Sequence, residues 1–363
     1  MIGLALSGGG SRAIAFHLGC LRALHERGVL EKISVISAVS GGSVIAGMYA
    51  YSNDDFEDFD CRVVSLLRKG LHWSIVRHLL SPGLLTRVLF THLVSCPVAG
   101  FARILKRQPP LRRWASRSDA LEKALQDLFR HVQIEHVRRP KLDVVFNACE
   151  MRTGTAFRFG TLRSGAWRFG EIAGNNVSVA HAIACSAAYP MFLPAFDRKY
   201  GFLKNGTNQS QRVIITDGGA YDNLGTSCLE PGRDDAFNLH NYPADYIICC
   251  YAGQGQLSGQ NIPFGFASRA RSAFESVFRK VQDSTLQRLH MYKRASMIKG
   301  FILPYLGQQD DALPLRPPDL VRRDEVIGYG TNFAAMPVND LDRLTRRGEQ
   351  LTRILLAHYC PEL

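Results

Sequence analysis

The first 50 residues alternate between short apolar runs and segments rich in glycine and serine, and this alternation constrains the fold most strongly. Ile2–Leu6 and Ile33–Ala38 are short apolar runs typical of buried strands. Between them, a helix is predicted over about residues 13–27, closed by Gly28. The apolar face of this helix would be formed by Ile14, Leu18, Leu21 and Leu24. Such a β-α-β unit places its two strands side by side and parallel.

A further helix is predicted from about Gly42 to Tyr51, and strands and helices continue to alternate after it. Later strands are predicted at Leu142–Cys149, Val213–Thr216 and Tyr246–Tyr251, and helices at about residues 56–68, 119–129, 177–187, 267–292 and 341–358. This order predicts an α/β fold in three layers, with a mostly parallel central sheet flanked by helices. We expect residues 1–363 to form a single domain with a basic amphipathic insertion at about 61–118.

The positive charge of the chain is concentrated in that insertion. The net charge is +12, and residues 61–118 hold eleven of the 44 Lys and Arg residues and none of the 32 Asp and Glu residues. The cations are interspersed with Trp73, Trp114 and several leucines, a composition suited to an anionic membrane surface. The alternative is that the segment forms a solvated cap packed over a functional site. Nucleic acid is not expected as a partner, because no nucleic-acid-binding motif accompanies the charge. Val88–Ala102 is uncharged, but we expect it to be too short, and too broken by Pro97 and Gly100, to span a membrane.

The glycine-rich loop between the first strand and helix is the first candidate site. In Ser7-Gly8-Gly9-Gly10-Ser11-Arg12-Ala13, the three glycines can direct backbone N–H groups into a small space at the positive end of a helix. Such a loop suits a phosphate, or the oxyanion formed in acyl transfer. The spacing Gly8-x-Gly10-x-x-Ala13 also matches a dinucleotide-binding fingerprint, but no acidic residue ends the second strand. A tight turn without a ligand is the third interpretation.

Ser40 is the candidate nucleophile. In Ala38-Val39-Ser40-Gly41-Gly42 it stands where a strand turns into a helix, with small residues two positions away on each side. This placement is typical of a nucleophile elbow, with Ala38 in place of the usual first glycine. Ser37 and Ser43 are alternatives, but neither has a small residue at both of those positions.

Asp217 is the candidate general base. It follows the apolar run Val213–Ile215 and precedes Gly218 and Gly219, at a strand end where open α/β sheets place their sites. A carboxylate there could accept the serine proton. The alternative is a simple Asp-Gly turn. We interpret Asp222 as a loop or helix-cap residue.

Taken in this order, the three motifs resemble the patatin-like phospholipase family over most of residues 1–225. Ser186-Ala187-Ala188-Tyr189-Pro190 is similar to the family segment before the aspartate, and the run Asp217–Leu224 is similar to its D-G-G-x-x-D-N pattern. The resemblance implies a lipid acyl hydrolase of the phospholipase A or lysophospholipase type. It assigns Ser40 as nucleophile and Asp217 as base, with the N–H groups of Gly8, Gly9 and Gly10 as the oxyanion hole. No metal or cofactor is required.

Arg12 matches a basic position after the glycine loop, where it would support the loop or attract phosphate. Because the resemblance implies a Ser-Asp dyad, no histidine is needed, and we interpret His17 and His181 as structural. The implied partners are a phospholipid or other acyl-ester lipid and an anionic membrane surface. The sequence does not reveal a protein activator. A non-catalytic membrane- or lipid-binding protein that retains the fold is the alternative function.

Cysteine usage and the N-terminus favour a cytoplasmic protein, peripheral to a membrane. Nine cysteines occur at scattered positions without a CxxC pair, which predicts reduced thiols and neither a disulfide framework nor a zinc site. Met1 leads directly into an apolar strand without a basic signal-peptide region, so the two Asn-x-Ser/Thr sequons at Asn176 and Asn205 are discounted. The uncharged segment Ile33–Asn53 is interpreted as a buried strand followed by a buried helix.

Overall fold

The computed structural model describes residues 1–255, 259 and 262–363. Within these residues ten strands form one sheet. The strands are β1 (Ile2–Leu6), β2 (Ile33–Ala38), β3 (Asp143–Glu150), β4 (Thr155–Gly160), β5 (Ser164–Ala166), β6 (Gly170–Ile172), β7 (Phe196–Lys204), β8 (Thr207–Asp217), β9 (Tyr246–Cys250) and β10 (Gly300–Ile302).

Helices lie between and around these strands. They are α1 (Gly10–Glu26), α2 (Gly41–Ala50), α3 (Phe56–Lys69), α4 (His72–Leu79), α5 (Pro82–Phe90), α6 (Cys96–Ile104), α7 (Arg117–Phe129), α8 (Val179–Ser186), α9 (Gly219–Asp222), α10 (Phe266–Arg294) and α11 (Val338–Tyr359). The helices predicted after residue 50 all occur, with ends that shift by a few residues.

The predicted α/β class is confirmed, and the sheet is mixed. Its order is β10-β9-β1-β2-β3-β4-β5-β6-β7-β8. In the described residues the pairings from β10 through β3 are parallel, and those from β3 through β8 are antiparallel. The sequence prediction of a mostly parallel sheet therefore holds for one half. The antiparallel strands β4–β7 were not predicted. Strands β5 and β6 have only three residues each, which is too few to show alternation.

A pairing between β8 and β3 brings the two candidate catalytic segments together. The last pair between β2 and β3 joins Ala38 to Phe146. Two residues further along β3, Ala148 pairs with Asp217 of β8 in antiparallel register. Strand β8 thus occupies the side of β3 that β2 vacates when its chain turns toward Ser40. Asp217 lies at the C-terminal end of a strand as predicted, but this strand runs antiparallel to β3.

Helix α1 is buried on most of its surface, between the sheet and α11. The predicted face of Ile14, Leu18, Leu21 and Leu24 is buried. On another face, Gly19 and Gly348 allow the two helices to approach closely. A Cβ at Gly19 would lie 1.8 Å from the carbonyl oxygen of Thr345, and one at Gly348 would lie 2.1 Å from that of Phe16.

The basic segment 61–118 is largely helical, and one expectation about it is wrong. Pro97 and Gly100 do not break the apolar stretch, because a single helix runs over Pro82–Ile104 with a π-helical turn at Thr91–Ser95. The wider π turn precedes Pro97, where a regular α-helix would place its ring against the preceding turn. This 23-residue helix is long and apolar enough to cross a membrane by length and composition. Only 17% of its most apolar window is buried.

Candidate functional site

Ser40 occupies a strained turn between β2 and α2. Its backbone has φ 52° and ψ −117°, a conformation that non-glycine residues rarely adopt and that costs on the order of 1–3 kcal/mol. Such strain is the signature of a nucleophile elbow, where the turn projects the serine hydroxyl away from the sheet. The backbone N–H of Ser40 donates to Oγ of Ser186 at 3.0 Å. The side chain is mostly buried, and 8% of the residue is exposed.

Close packing explains the small residues around the elbow. A Cβ at Gly42 would lie 2.3 Å from the carbonyl oxygen of Leu6, so only glycine fits there. Ala38 is fully buried at the strand end, and its carbonyl oxygen accepts a hydrogen bond from Nδ2 of Asn147 at 3.0 Å. Alanine therefore fits in place of the first glycine of the usual motif.

The neighbouring serines are structural in this geometry. Ser37 is fully buried, and its hydroxyl donates to the carbonyl oxygen of Gly225. Ser43 is also fully buried, with its hydroxyl 2.9 Å from that of Ser186. Both hydroxyls are committed to internal hydrogen bonds, which leaves Ser40 as the candidate nucleophile of the three.

Asp217 is a buried carboxylate next to this serine. Its Oδ1 accepts a hydrogen bond from the N–H of Gly219 at 2.6 Å. Burial raises the pKa of Asp217 from 3.8 to about 7, and the nearby Gly219 N–H and Ser40 side chain oppose the rise. Among the described residues no Lys, Arg or His forms an ion pair with it. An unpaired buried carboxylate with a pKa near neutrality is typical of a general base.

Asp222, the second acidic residue of the motif, has the structural role that the sequence predicts. Its Oδ1 accepts N–H groups from Leu224 at 3.2 Å and Gly225 at 3.0 Å. Its Oδ2 accepts the N–H of Ser227 at 2.8 Å. The carboxylate thus holds the loop after α9 in place and is saturated by backbone donors.

The glycine loop lies against the elbow. A Cβ at Gly8 would come 3.3 Å from Cβ of Ser40 and 2.5 Å from Oδ1 of Asn223. A Cβ at Gly41 would lie 2.3 Å from the carbonyl oxygen of Gly10. The backbone of Gly9 has φ +147° and that of Gly10 has φ +60°, so both need the freedom of glycine. The three glycines therefore serve close approach as well as any ligand.

The N–H groups of the loop are not equivalent. That of Gly8 donates to the carbonyl oxygen of Asn223 at 3.2 Å. Within the described part of the chain, those of Gly9 and Gly10 have no hydrogen-bond acceptor. The N–H of Gly41 is equally free of an acceptor there. Sequence reasoning missed Gly41, although its position directly after the candidate nucleophile is one where serine hydrolases place an oxyanion donor.

Arg12 is a buried cation that ties the start of α1 to two other segments. Its Nε donates to the carbonyl oxygen of Ala252 at 3.0 Å, and Nη1 donates to that of Tyr329 at 2.9 Å. Burial lowers the pKa of Arg12 to about 10. No carboxylate pairs with it in the described structure, and its Nη2 lies 3.3 Å from the position of a Gly9 Cβ. The arginine is therefore placed to support the glycine loop.

Neither histidine near the motifs contacts the Ser40 or Asp217 side chain among the described contacts. His17 is fully buried, with Nε2 3.1 Å from the carbonyl oxygen of Cys250, and burial lowers its pKa to about 3. His181 lies in a separate cluster, with Nδ1 3.1 Å from Glu122 and Nε2 2.6 Å from the Tyr200 hydroxyl. These placements agree with structural roles for both.

Ser186 connects both candidate catalytic segments, a role that sequence reasoning missed. Its Oγ accepts the Ser40 N–H, and its hydroxyl donates to the carbonyl oxygen of Asn147 at 2.6 Å. Its own carbonyl oxygen accepts the N–H of Gly218 at 3.3 Å. One fully buried residue at the end of α8 thus contacts the elbow on one side and the turn after Asp217 on the other.

Comparisons with known proteins identify a family for most of the chain. A family model described as patatin-like phospholipase matches residues 4–227. A patatin-like phospholipase domain-containing protein of Caenorhabditis elegans is 48% identical over 54 residues, which are 15% of this chain and 4% of that protein. Lysophospholipase NTE1 of Mycosarcoma maydis is 51% identical over 49 residues, 14% of this chain and 2% of that protein.

The fold is similar to that of a solved phospholipase. Human GIVD cytosolic phospholipase A2 superposes with a TM-score of 0.56 at 13% identity, over 98% of this chain and 58% of that chain. At this identity the similarity concerns the fold alone. This chain aligns with only a few per cent of the length of its curated relatives and with little more than half of the solved structure.

Proposed function

The chain belongs to the patatin-like phospholipase family, and on this premise we propose that it hydrolyses acyl esters of lipids with Ser40 and Asp217 as a catalytic dyad. The family assignment takes the place of the dinucleotide-binding interpretation of the glycine loop. The match includes the basic segment 61–118, and strand β9 beyond the match pairs with β1. We therefore also propose one catalytic domain over residues 1–363, with that segment as its insertion.

The observation that carries the proposal is that a serine with a strained backbone lies next to a buried carboxylate, and that this carboxylate has no cation beside it among the described residues. Asp217 takes the hydroxyl proton as Ser40 Oγ attacks the ester carbonyl carbon. The tetrahedral intermediate collapses to an acyl-serine and releases the alcohol, which receives the proton from Asp217. Water then attacks the acyl-serine as Asp217 accepts its proton, and Asp217 returns this proton to Ser40 Oγ when the bond to the acyl group breaks and the fatty acid leaves. A pKa of about 7 allows Asp217 to accept and return the proton near neutral pH.

We assign the oxyanion hole to the glycine loop, with a division of roles among its residues. The N–H groups of Gly9 and Gly10 are the donors available to the developing oxyanion, together with that of Gly41. Gly8 acts as the residue that lets the loop approach Ser40, because its N–H is already bonded to Asn223. One oxyanion donor is worth about 3–4 kcal/mol in another serine hydrolase. Arg12 holds this loop and adds positive charge that favours a phosphate-bearing substrate.

Fatty-acid release from mixed phospholipid vesicles tests the dyad. We expect Ser40→Ala and Asp217→Asn to remove release, while both variants remain folded by circular dichroism. Ser52→Ala is the matched control, since Ser52 is also 8% exposed but follows α2 instead of preceding it. A fluorophosphonate probe should label wild type and Ser52→Ala and leave Ser40→Ala unlabelled. Full activity in Ser40→Ala would refute the assignment, and vesicle binding without any release would favour the non-catalytic alternative.

We further propose that the basic segment binds an anionic membrane surface with the helix Pro82–Ile104 lying in the interface. Leu93 is 75% exposed, Phe101 64% and Ile104 78%, an exposure of large apolar side chains that water does not favour. The helix is also held to the protein, because Leu84 and Ala102 are buried and Thr91 Oγ1 accepts the N–H of Ala115 at 3.1 Å. This attachment favours an interfacial position over a span.

Flotation with vesicles tests this membrane proposal. We expect binding to vesicles that contain anionic lipid, and about fivefold weaker binding for each removed cation such as Arg103→Gln, from about 1 kcal/mol per basic residue at the surface. Leu93→Ser should weaken binding more than Leu162→Ser, an exposed leucine outside the segment. Equal binding to neutral and anionic vesicles would refute the electrostatic part. The cytoplasmic location remains part of this proposal.

A further inference from the structure

A row of four aromatic rings extends from the candidate site to the protein surface. The rings of Phe278 and Phe274 are stacked, with centroids 5.9 Å apart. Phe274 meets Tyr189 edge-on at 6.5 Å, and Tyr189 lies 5.8 Å from Phe192. Phe278 and Phe274 come from α10, and Tyr189 and Phe192 from the segment after α8. We call these four residues the aromatic row.

The inner end of the aromatic row touches the turn that carries Asp217. Cε2 of Phe278 lies 3.5 Å from the position of a Cβ at Gly219, whose N–H donates to the Asp217 carboxylate. Tyr189 follows Ala188, whose carbonyl oxygen accepts the N–H of Asp217 at 3.1 Å. Burial raises the pKa of Tyr189, and the nearby charges of Asp217 and Glu275 raise it further. The row therefore begins within the surroundings of the proposed general base.

The outer end of the row is open to solvent. Phe192 is 60% exposed and the adjacent Met191 is 47% exposed. At the start of α10, Phe264 and Phe266 are 92% and 82% exposed. A cluster of large apolar side chains that are exposed to solvent is typical of a surface that binds another molecule.

Core packing does not account for the row. The buried residues of α10 are Gln282, Thr285 and Leu289, all in its second half. Phe274 and Phe278 are only half-buried, so the first half of α10 carries two large rings that no core encloses. The helix also lies beyond residues 4–227, the part of the chain that the family model matches. The two rings from α10 therefore lie outside the part of the chain that the family model matches, whereas Tyr189 and Phe192 lie inside it.

We propose that the aromatic row binds the acyl chain of the substrate and makes the enzyme selective for long-chain esters. The inference rests on the proposed function, because it places the ester carbonyl at Ser40 and directs the chain along the rings. Four consecutive rings offer an apolar surface that a short acyl group cannot cover. Each methylene that leaves water can improve kcat/KM by up to about fourfold.

The selectivity of the protein for acyl-chain length tests whether the aromatic row binds the acyl chain. The assay compares kcat/KM for p-nitrophenyl dodecanoate and p-nitrophenyl butyrate, both kept below their critical micelle concentrations. We expect wild type to prefer dodecanoate and Phe274→Ala to lower the dodecanoate-to-butyrate ratio at least tenfold. Phe274→Leu, which keeps apolar volume, should retain most of the ratio. The matched control is Val277→Ala, since Val277 lies on the same helix and is 66% exposed outside the row. A ratio in Phe274→Ala within twofold of wild type would overturn the inference.

A binding measurement separates this inference from the dyad proposal. Ser40→Ala should bind a fluorescent long-chain fatty acid, and Phe274→Ala in that background should weaken the affinity at least tenfold. Such a loss supports the row as an acyl-chain site even if no ester is hydrolysed by wild type. Equal affinity in the two variants would refute the proposal that the aromatic row binds the acyl chain, even if the dyad is confirmed. Thermal unfolding of each variant identifies any that fail to fold, in which case Phe192→Ser, at the exposed end, replaces Phe274→Ala.

Discussion

Replacing the proposed base by its amide, Asp217→Asn, should abolish activity and at the same time stabilise the protein. The carboxylate is buried without a cation, and its pKa is raised from 3.8 to about 7. Burial without a cation makes the charged form unfavourable in the folded state. Asparagine has the same shape and no charge, and its Oδ1 can still accept the N–H of Gly219. The substitution therefore removes the cost that the buried charge imposes on the folded protein.

The sign and size of the effect depend on pH. Because the folded-state pKa is raised, the folded protein binds a proton that the unfolded chain has released between about pH 4 and pH 7. Native stability therefore falls as pH rises through this window, and the full cost is present above pH 7. A rise of about 3 pKa units corresponds to about 4 kcal/mol at pH 8, and about 2 kcal/mol of it is already present at pH 5. For a chain of this length, these values correspond to about 5 °C and about 3 °C in Tm.

Thermal unfolding of wild type and Asp217→Asn at pH 5 and pH 8 measures both values. The control is Asp222→Asn, because Asp222 is also buried but accepts three backbone N–H groups. An amide cannot accept all three hydrogen bonds, so this control should lose about 1–3 kcal/mol of unfolding free energy. Its Tm should therefore be lower than that of wild type. A Tm for Asp217→Asn that is no higher than wild type at pH 8 would refute the reasoning. A gain that is the same at both pH values would refute the assigned pKa.

Three further results are expected. The kcat/KM of wild type on a soluble ester should rise with pH through about 7 and then level off, since only ionised Asp217 accepts the Ser40 proton; a pH profile that is flat from 5 to 9 would exclude this base. Ser186→Ala removes the acceptor of the Ser40 N–H and should lower kcat at least tenfold with little change in KM, whereas a purely structural role would lower Tm and leave kcat per folded molecule unaltered. Gly19→Ala places a methyl group 1.8 Å from the Thr345 carbonyl oxygen and should cost about 1–3 kcal/mol by separating α1 from α11; unchanged denaturant unfolding would show that the two helices have room between them.

Motifs defined by local sterics were predictable from the sequence. The elbow needs a short apolar strand, small residues two positions from the serine on both sides, and a helix directly afterwards, and all of these lie within Ile33–Ala50. The glycine loop is equally local, since its conformations at Gly9 and Gly10 exclude other residues. Helix α1 was predictable because its apolar face repeats with helical spacing. The family resemblance rests on these same residues.

Long-range contacts decided the rest. The sequence placed Asp217 at a strand end, but only the β3–β8 pairing determines that this end lies beside the strand leading to Ser40. The engagement of the Gly8 N–H by Asn223, more than 200 residues away, likewise has no local signal. The same holds for the aromatic row, because helical spacing does not distinguish a phenylalanine that faces a core from one that faces a substrate. Local sterics are encoded within a few neighbouring residues, whereas the partner of a strand edge, an N–H group or an aromatic ring is set by the packing of the whole chain.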